Sequence, residues 1–351
     1  MSPPRIRIPA EQLHSLALAL LEAIGMPPAD AAIAAGAMVW NELRGAAGHG
    51  LGRILQVQER SGAGGLNLEV DWTPIRESPS TALIDAQNGW GVVAGTRAMR
   101  IAIDKARLNG IGTVVVRNSD VTSAMGYYPH VAVEAEMVGL AVTNSLPLMP
   151  PWGGSEVLLG NQAFAIGVPA SSHPPLVFDS STSAFNMGRM RQAALSGERL
   201  PPGVALDETG AETDDAEAAL AALRLLPMGG HRGGGLAIMW EVFTGILAGR
   251  RSTTEVVGMQ QLDRTQGLSL YVQALDPRSF LPYEEFLFRV DRLISQIHAN
   301  PPREGFDRVR VPGERKAEFE ADYRRRGVPV PTDSLERLRT LCLDRGVVWP
   351  W

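Results

Sequence analysis

A single cysteine, Cys342, stands among 351 residues, so no internal disulfide can form and a reducing compartment fits. Long hydrophobic runs are missing too. No stretch of about 18 apolar residues occurs, and no membrane-spanning helix is expected. Basic charge is in deficit: the net charge of −5 gives no general attraction to nucleic acid or to an anionic membrane. Several signature motifs are absent as well. There is no strand followed by GxGxxG, no GxxxxGK[ST] phosphate loop and no GxSxG nucleophile elbow. His14, His130, His173 and His298 show no metal-ligand spacing, and they read as structural.

What remains is ordinary globular text, with 45% hydrophobic and 20% charged residues. Pro9 to Ile24 and Pro28 to Leu43 carry helical periodicity, the first stopped by Gly25. Leu16 to Ile24 reads as a core helix rather than a secretion signal. Ala82 to Asp85 is a short strand, and Val92 to Leu108 a helix closed by Asn109-Gly110. The β-branched run Ile111 to Val116 ends in polar residues, as does Leu140 to Val142 in Thr143-Asn144-Ser145. Two such strands joined through a helix, expected over about Pro129 to Met137, would frame a ligand crevice. Leu176 to Phe178 is a third strand with a polar exit, and Leu268 to Ala274 a fourth. Arg189 to Asp215 reads as a surface excursion, with a helix following near Ala216 to Leu226. Helical text at both ends and mixed text between predict an α/β fold. Residues 1–75 with 283–351 would form a discontinuous helical unit around a sheet domain over 76–282.

Two stretches suggest chemistry. In Arg44 to Arg53, glycines flank His49, and Arg53 follows it at helical spacing, where a guanidinium suits a carboxylate. A satisfied loop histidine fits the same text. Gly229 to Gly235 carries His231 and Arg232 into the predicted helix Leu236 to Leu247, a plausible anion site that also serves as a plain turn.

Taken in order, the motifs resemble the malate/L-lactate dehydrogenase family, which is unrelated to the Rossmann lactate dehydrogenases. RGAAGHGLGR is similar to RGxxSHGxxR, ALIDAQNGWG to xxxDGxNGxG, and VVVRNSDVTSAMGYY to VxVRNSNHFGxAGYY. AVTNSLPLMPPWGGSEVLLGNQAFAIGVP follows xxTNxxPxVxPxGGxxxxLGTNPxxxxxP, and FDSSTSAFNMGR follows DxxTSxxxxGK. LLPMGGHRGGGLAIMWEVFTGILAG and VPGER match the closing patterns.

The resemblance implies that family's non-Rossmann fold, a homodimer, and NAD or NADP as coenzyme; the lone cysteine puts the expected location in the cytoplasm. Asn144, Asp179, Ser180, Ser181, His231, Arg232, Pro312, Gly313, Glu314 and Arg315 would line the coenzyme. His49 and Arg53 would face a small carboxylate-bearing substrate, Arg53 as its clamp. The departures fall around one pocket. Val121 replaces the family's histidine, Gly48 a serine, Val57 a tyrosine and Asn161 a substrate-facing threonine, while Arg189 stands where lysine or aspartate is usual. Valine can neither give nor take a proton, which leaves His49 as acid/base with Asp120 or Tyr127 in reserve. An intact scaffold around a changed pocket points to a repurposed oxidoreductase acting on an imine, a 2-oxo acid or a 2-hydroxy acid. The alternatives are non-redox chemistry on the same scaffold and a silent binding protein.

Overall fold

The computed structural model of the chain describes residues 4–351. Its centre is a seven-stranded mixed sheet in the spatial order Arg76–Glu77, Thr81–Asp85, Ile111–Ser119, Leu268–Leu275, Val138–Thr143, Phe164–Val168, Leu176–Ser180. Thr81–Asp85 and Ile111–Ser119 are parallel, joined by the helix Gly91–Asn109. That helix buries Ala94, Ala98, Met99 and Ala102 on the sheet. Small residues at this spacing let helix and sheet approach closely.

The two strands expected to frame the crevice are not adjacent. Leu268–Leu275 lies between Ile111–Ser119 and Val138–Thr143, antiparallel to both. The two flanking strands therefore run the same way, and their polar ends emerge at one edge. This strand is drawn from more than 120 residues downstream, and no local pattern announces such pairing.

A second core is helical. Leu13, Leu16, Ala17, Leu20 and Leu21 of the helix Ala10–Ile24 are buried at three- and four-residue spacing. They pack with Pro28–Leu43, Arg53–Ala63 and Thr332–Arg345. Each buried leucine contributes about 1.5–3 kcal/mol. The chain ends are tied by pairing of Arg5–Ile8 with Val328–Pro331. The helix Tyr283–His298 sits elsewhere: its Val290 and Ile294 pack with Val168 and Leu176 at the outer edge of the sheet.

The polar stretch after residue 186 is folded, not a bare excursion. Asn186 caps the helix Met187–Ser196 through the amides of Gly188 and Arg189. Met190, Ala193, Leu200, Val204 and Leu225 close a small core of their own. Among the described residues no helix is long and apolar enough to cross a membrane.

Asp30 joins the helical core to the sheet domain. Asp30 is 3% exposed, and its carboxylate accepts from Arg97 Nε at 2.7 Å and from Trp72 Nε1 at 2.9 Å. Removing a buried acceptor strands both donors. Asp30→Ala is expected to cost about 3 kcal/mol of unfolding free energy in urea titration, and a loss below about 0.5 kcal/mol would show the joint to be unimportant.

Candidate active site

His49 lies in the short turn Ala47–His49, between the helix Pro28–Leu43 and the helix that Arg53 begins. Its carbonyl accepts from Asn41 Nδ2 and Ser123 Oγ, each at 3.3 Å, so the turn is fixed from two sides. The ring is half-buried, and its buried Nδ1 has no partner. Burial first, then the neighbouring Arg53 charge, pulls the imidazole down to about 4, against an opposing pull from Asp179 and with a further push from Lys316. Asp179 accepts from Lys316 Nζ at 2.9 Å. His49, Arg53, Asp179 and Lys316 therefore share one electrostatic neighbourhood.

Arg53 is held by the Gly48 carbonyl (2.9 Å) and by Gln56 Oε1 (2.6 Å), with Met259 Sδ at 3.6 Å. Burial and the nearby Arg191 charge both lower it. A second guanidinium close enough to lower Arg53 makes a neighbourhood that favours an anion.

Gly50 is glycine for a local reason. A Cβ there would lie 2.0 Å from Glu42 Oε1, so the glycine makes room for a buried carboxyl and not for a ligand. That carboxyl accepts from the Leu51 amide at 3.0 Å, and burial pushes it up to about 7. Gly48 has open space where its side chain would be.

Several residues expected at the site are committed elsewhere. Asp120 is 2% exposed and bound by Arg60 Nη2 at 2.7 Å and Nε at 3.1 Å, while its other oxygen takes the Val121 amide at 2.8 Å. A carboxylate so occupied is no reserve acid. Tyr127 packs edge-on against Trp40, its hydroxyl beside Gly36, and burial pushes it up to about 12. Asn144 is fully buried, joining the Ser269 amide (2.8 Å) to the Arg251 carbonyl (3.2 Å) as a strand-end clamp.

The remaining candidates each have local partners. Asn161 Oδ1 accepts from Ser145 Oγ at 2.9 Å. Ser180 Oγ bonds the Ser181 carbonyl, and Ser181 Oγ meets Ser183 Oγ at 3.0 Å. His231 and Arg232 are exposed on the first turn of the helix His231–Glu241. Arg189 lies over the Phe185 ring at 5.0 Å. Gly313 has φ 89°, and a Cβ would lie 2.9 Å from Val177 N, so this glycine lets Pro312 dock on the strand through a 3.1 Å bond from the Val177 amide. Glu314 and Arg315 turn away from Asp179, Glu314 to His298 and Arg308, Arg315 over Phe319. Lys316, Arg191 and Met259 were not picked out from the sequence. Lys316 directly follows VPGER, but Lys316 and Arg191 are isolated polar residues in helical text and Met259 lies in a loop, and none carries another mark.

Val121 is 8% exposed and lies one residue beyond the Asp120 clamp, with no titratable atom to offer. Among the described residues no group of three potential ligands could hold a metal ion.

Known proteins resemble the chain over nearly its whole length. A family profile described as malate/L-lactate dehydrogenase matches residues 8–339. A malate dehydrogenase of Pyrococcus abyssi is 34% identical over 349 residues, 97% of this chain and 96% of that protein. A Pseudomonas aeruginosa reductase of Δ1-pyrroline-2-carboxylate and Δ1-piperideine-2-carboxylate is 30% identical, covering 93% and 96%. The solved sulfolactate dehydrogenase of Methanocaldococcus jannaschii superposes with a TM-score of 0.91 at 32% identity, covering 97% and 98%.

Glu42 gives a test of the loop's electrostatics. Its folded value of about 7 lies above the ordinary 4.5, so its contribution is present in acid and is lost as pH rises through 7. Glu42→Gln should raise the melting temperature at about pH 8 and flatten the pH dependence of stability between 4.5 and 7. A variant with the wild-type pH dependence would contradict the assignment.

Proposed function

Because the chain belongs to the malate/L-lactate dehydrogenase family, whose relatives are dehydrogenases and reductases of small carboxylates, we propose that it is a nicotinamide-dependent oxidoreductase with its proton-transfer group moved to His49. The observation that carries this reading is the pairing of an inert Val121 with an imidazole whose buried Nδ1 is unpartnered. Arg53, on the same loop, would grip the substrate carboxylate.

Binding and proton transfer are linked. Arg53 is the second cause that depresses His49, and a bound carboxylate offsets its charge. His49 then becomes a better base when substrate is present. At neutral pH it starts uncharged, ready to take the proton of a hydroxyl or amine being oxidised. A protonated imine needs no acid for reduction, and such a substrate suits a site that lacks the histidine at position 121. The relative that reduces cyclic imino acids makes this class concrete.

NAD or NADP, when bound, supplies or accepts the hydride. The residues present fit it: Asp179 with Lys316 beside His49, the docked Pro312–Gly313 turn, and exposed His231 and Arg232 on a helix N-terminus. A homodimer is part of the proposal. Ile238, Met239, Val242, Phe243, Ile246 and Leu247 are 40–58% exposed along one helical face, an apolar patch of the kind that partners cover. The single buried Cys342 is in keeping with the cytoplasm.

Three outcomes test the reading. His49→Ala should lower kcat by about 10²–10⁴ while NADH still raises the melting temperature; undiminished turnover would remove His49 from the chemistry. The kcat/KM of the oxidative direction should show no bend near 6.5 and should fall only as pH drops toward 4, where the free enzyme's His49 gains its proton. Product formed with no change in NAD(P)H absorbance would instead favour non-redox chemistry. For the assembly, Ile246→Asp should halve the mass seen by sedimentation; a wild-type protein that sediments as a monomer would refute the dimer.

A further inference from the structure

The hydrogen bonds of Arg53 set how a carboxylate can reach it. Nε is held by the Gly48 carbonyl at 2.9 Å. Nη1 carries two acceptors, Gln56 Oε1 at 2.6 Å and Met259 Sδ at 3.6 Å. Nη2 has no partner among the described residues. A carboxylate that grips two nitrogens must take Nη2 together with Nη1 or Nε, so an existing acceptor has to yield. The thioether is the weakest acceptor and the most distant, and it gives way first.

Met259 is delivered to that position by a fixed backbone. Its carbonyl and that of Gln261 both accept from Arg60 Nη1, at 3.1 Å and 2.9 Å. The Gln261 amide closes a turn onto the Gly258 carbonyl at 3.1 Å. Only the side-chain torsions remain free to carry the sulfur on and off the guanidinium. Met259 is half-buried, whereas Met38, Met99, Met125, Met137, Met149 and Met190 are no more than 1% exposed.

We propose that Met259 is an oxidation site that switches the Arg53 clamp, with hydrogen peroxide as the oxidant. The sulfur lone pair attacks one peroxide oxygen, and an S–O bond forms as the O–O bond breaks. The proton on the transferred oxygen passes to the departing hydroxide, which leaves as water. Sulfur is oxidised by two electrons and the peroxide is reduced by two. The sulfoxide places a strong acceptor where a weak one stood, and it competes with the substrate carboxylate for Nη1. The thioether leaves the clamp open, the sulfoxide holds it shut, and a methionine sulfoxide reductase reopens it. The proposal rests on Arg53 as the carboxylate clamp and adds a modification that governs it.

Oxalate is the probe, because its binding needs a clamp and no hydride transfer. Oxalate should raise the melting temperature of the wild type, and Arg53→Leu should abolish the rise. Hydrogen peroxide should add one oxygen to the peptide carrying Met259, read by mass spectrometry, and weaken oxalate by about fivefold or more. A methionine sulfoxide reductase with a thiol should reverse both changes. Met259→Leu should bind oxalate equally before and after peroxide, which separates the effect from oxidation of Met239, 52% exposed. Met259→Gln, with an amide oxygen near the sulfoxide's place, should weaken oxalate with no oxidant present. Undiminished oxalate affinity once Met259 is oxidised, an unmodified Met259 beside oxidised Met239, or equal peroxide sensitivity in Met259→Leu would overturn the switch alone. No rise in the wild type, or an equal rise in Arg53→Leu, would defeat the clamp reading and the switch with it.

Discussion

Arg60 is 1% exposed, and its guanidinium is the point where three separate parts of the chain meet. It grips the Asp120 carboxylate with two nitrogens. It also donates to the carbonyls of Met259, Gln261, Gly65 and Arg264 at 2.9–3.2 Å. A lone buried charge would be ruinous, and a buried pair alone is often no better than a hydrophobic replacement. Here the planar fork has an acceptor in every direction, a geometry that lysine's ammonium could not supply. Burial pushes the Asp120 carboxyl up, while Arg60 and the Val121 amide pull it back.

The layout of the site follows from that junction. Arg60 belongs to the helix that starts at Arg53, Asp120 directly follows the strand Ile111–Ser119, and Met259 touches the Arg53 guanidinium. Fixing the three together sets the distance between the His49–Arg53 loop and the strand exit at Val121. Closeness without water then shapes the charges. His49 is held neutral by its own burial and by a cation on the same loop, and Glu42 beneath it is held close to neutrality of charge by burial. The loop thus carries a base and a clamp that each change when an anion arrives, a coupling that a histidine on the strand end would not share.

The helical elements were largely legible in the sequence because their signals are local. Pro28–Leu43 begins at its proline and ends at the predicted residue, and the first helix, Ala10–Ile24, stops at Gly25 as expected. The helix Met187–Ser196 escaped because its text is polar, and its start depends on the Asn186 cap rather than on an apolar stripe. His49 and Arg53 stood out as a spaced pair. Their surroundings did not: Arg60 meets Asp120 across 60 positions, and Gly50 serves a carboxyl eight residues earlier that reads as one more helical glutamate. Asp120 and Asn144 looked functional because polar strand ends usually are, whereas here they spend their hydrogen bonds on holding the strands.

The most direct measurement is a double-mutant cycle on unfolding free energy, using Arg60→Met, Asp120→Asn and the two combined. Each single change should cost about 3–5 kcal/mol because it leaves a charge or a set of carbonyls without its partner. The combined variant should lose clearly less than the sum, a coupling of about 2 kcal/mol or more. Losses that simply add would contradict the account, showing that the two residues act independently and that no shared junction holds the loop to the strand.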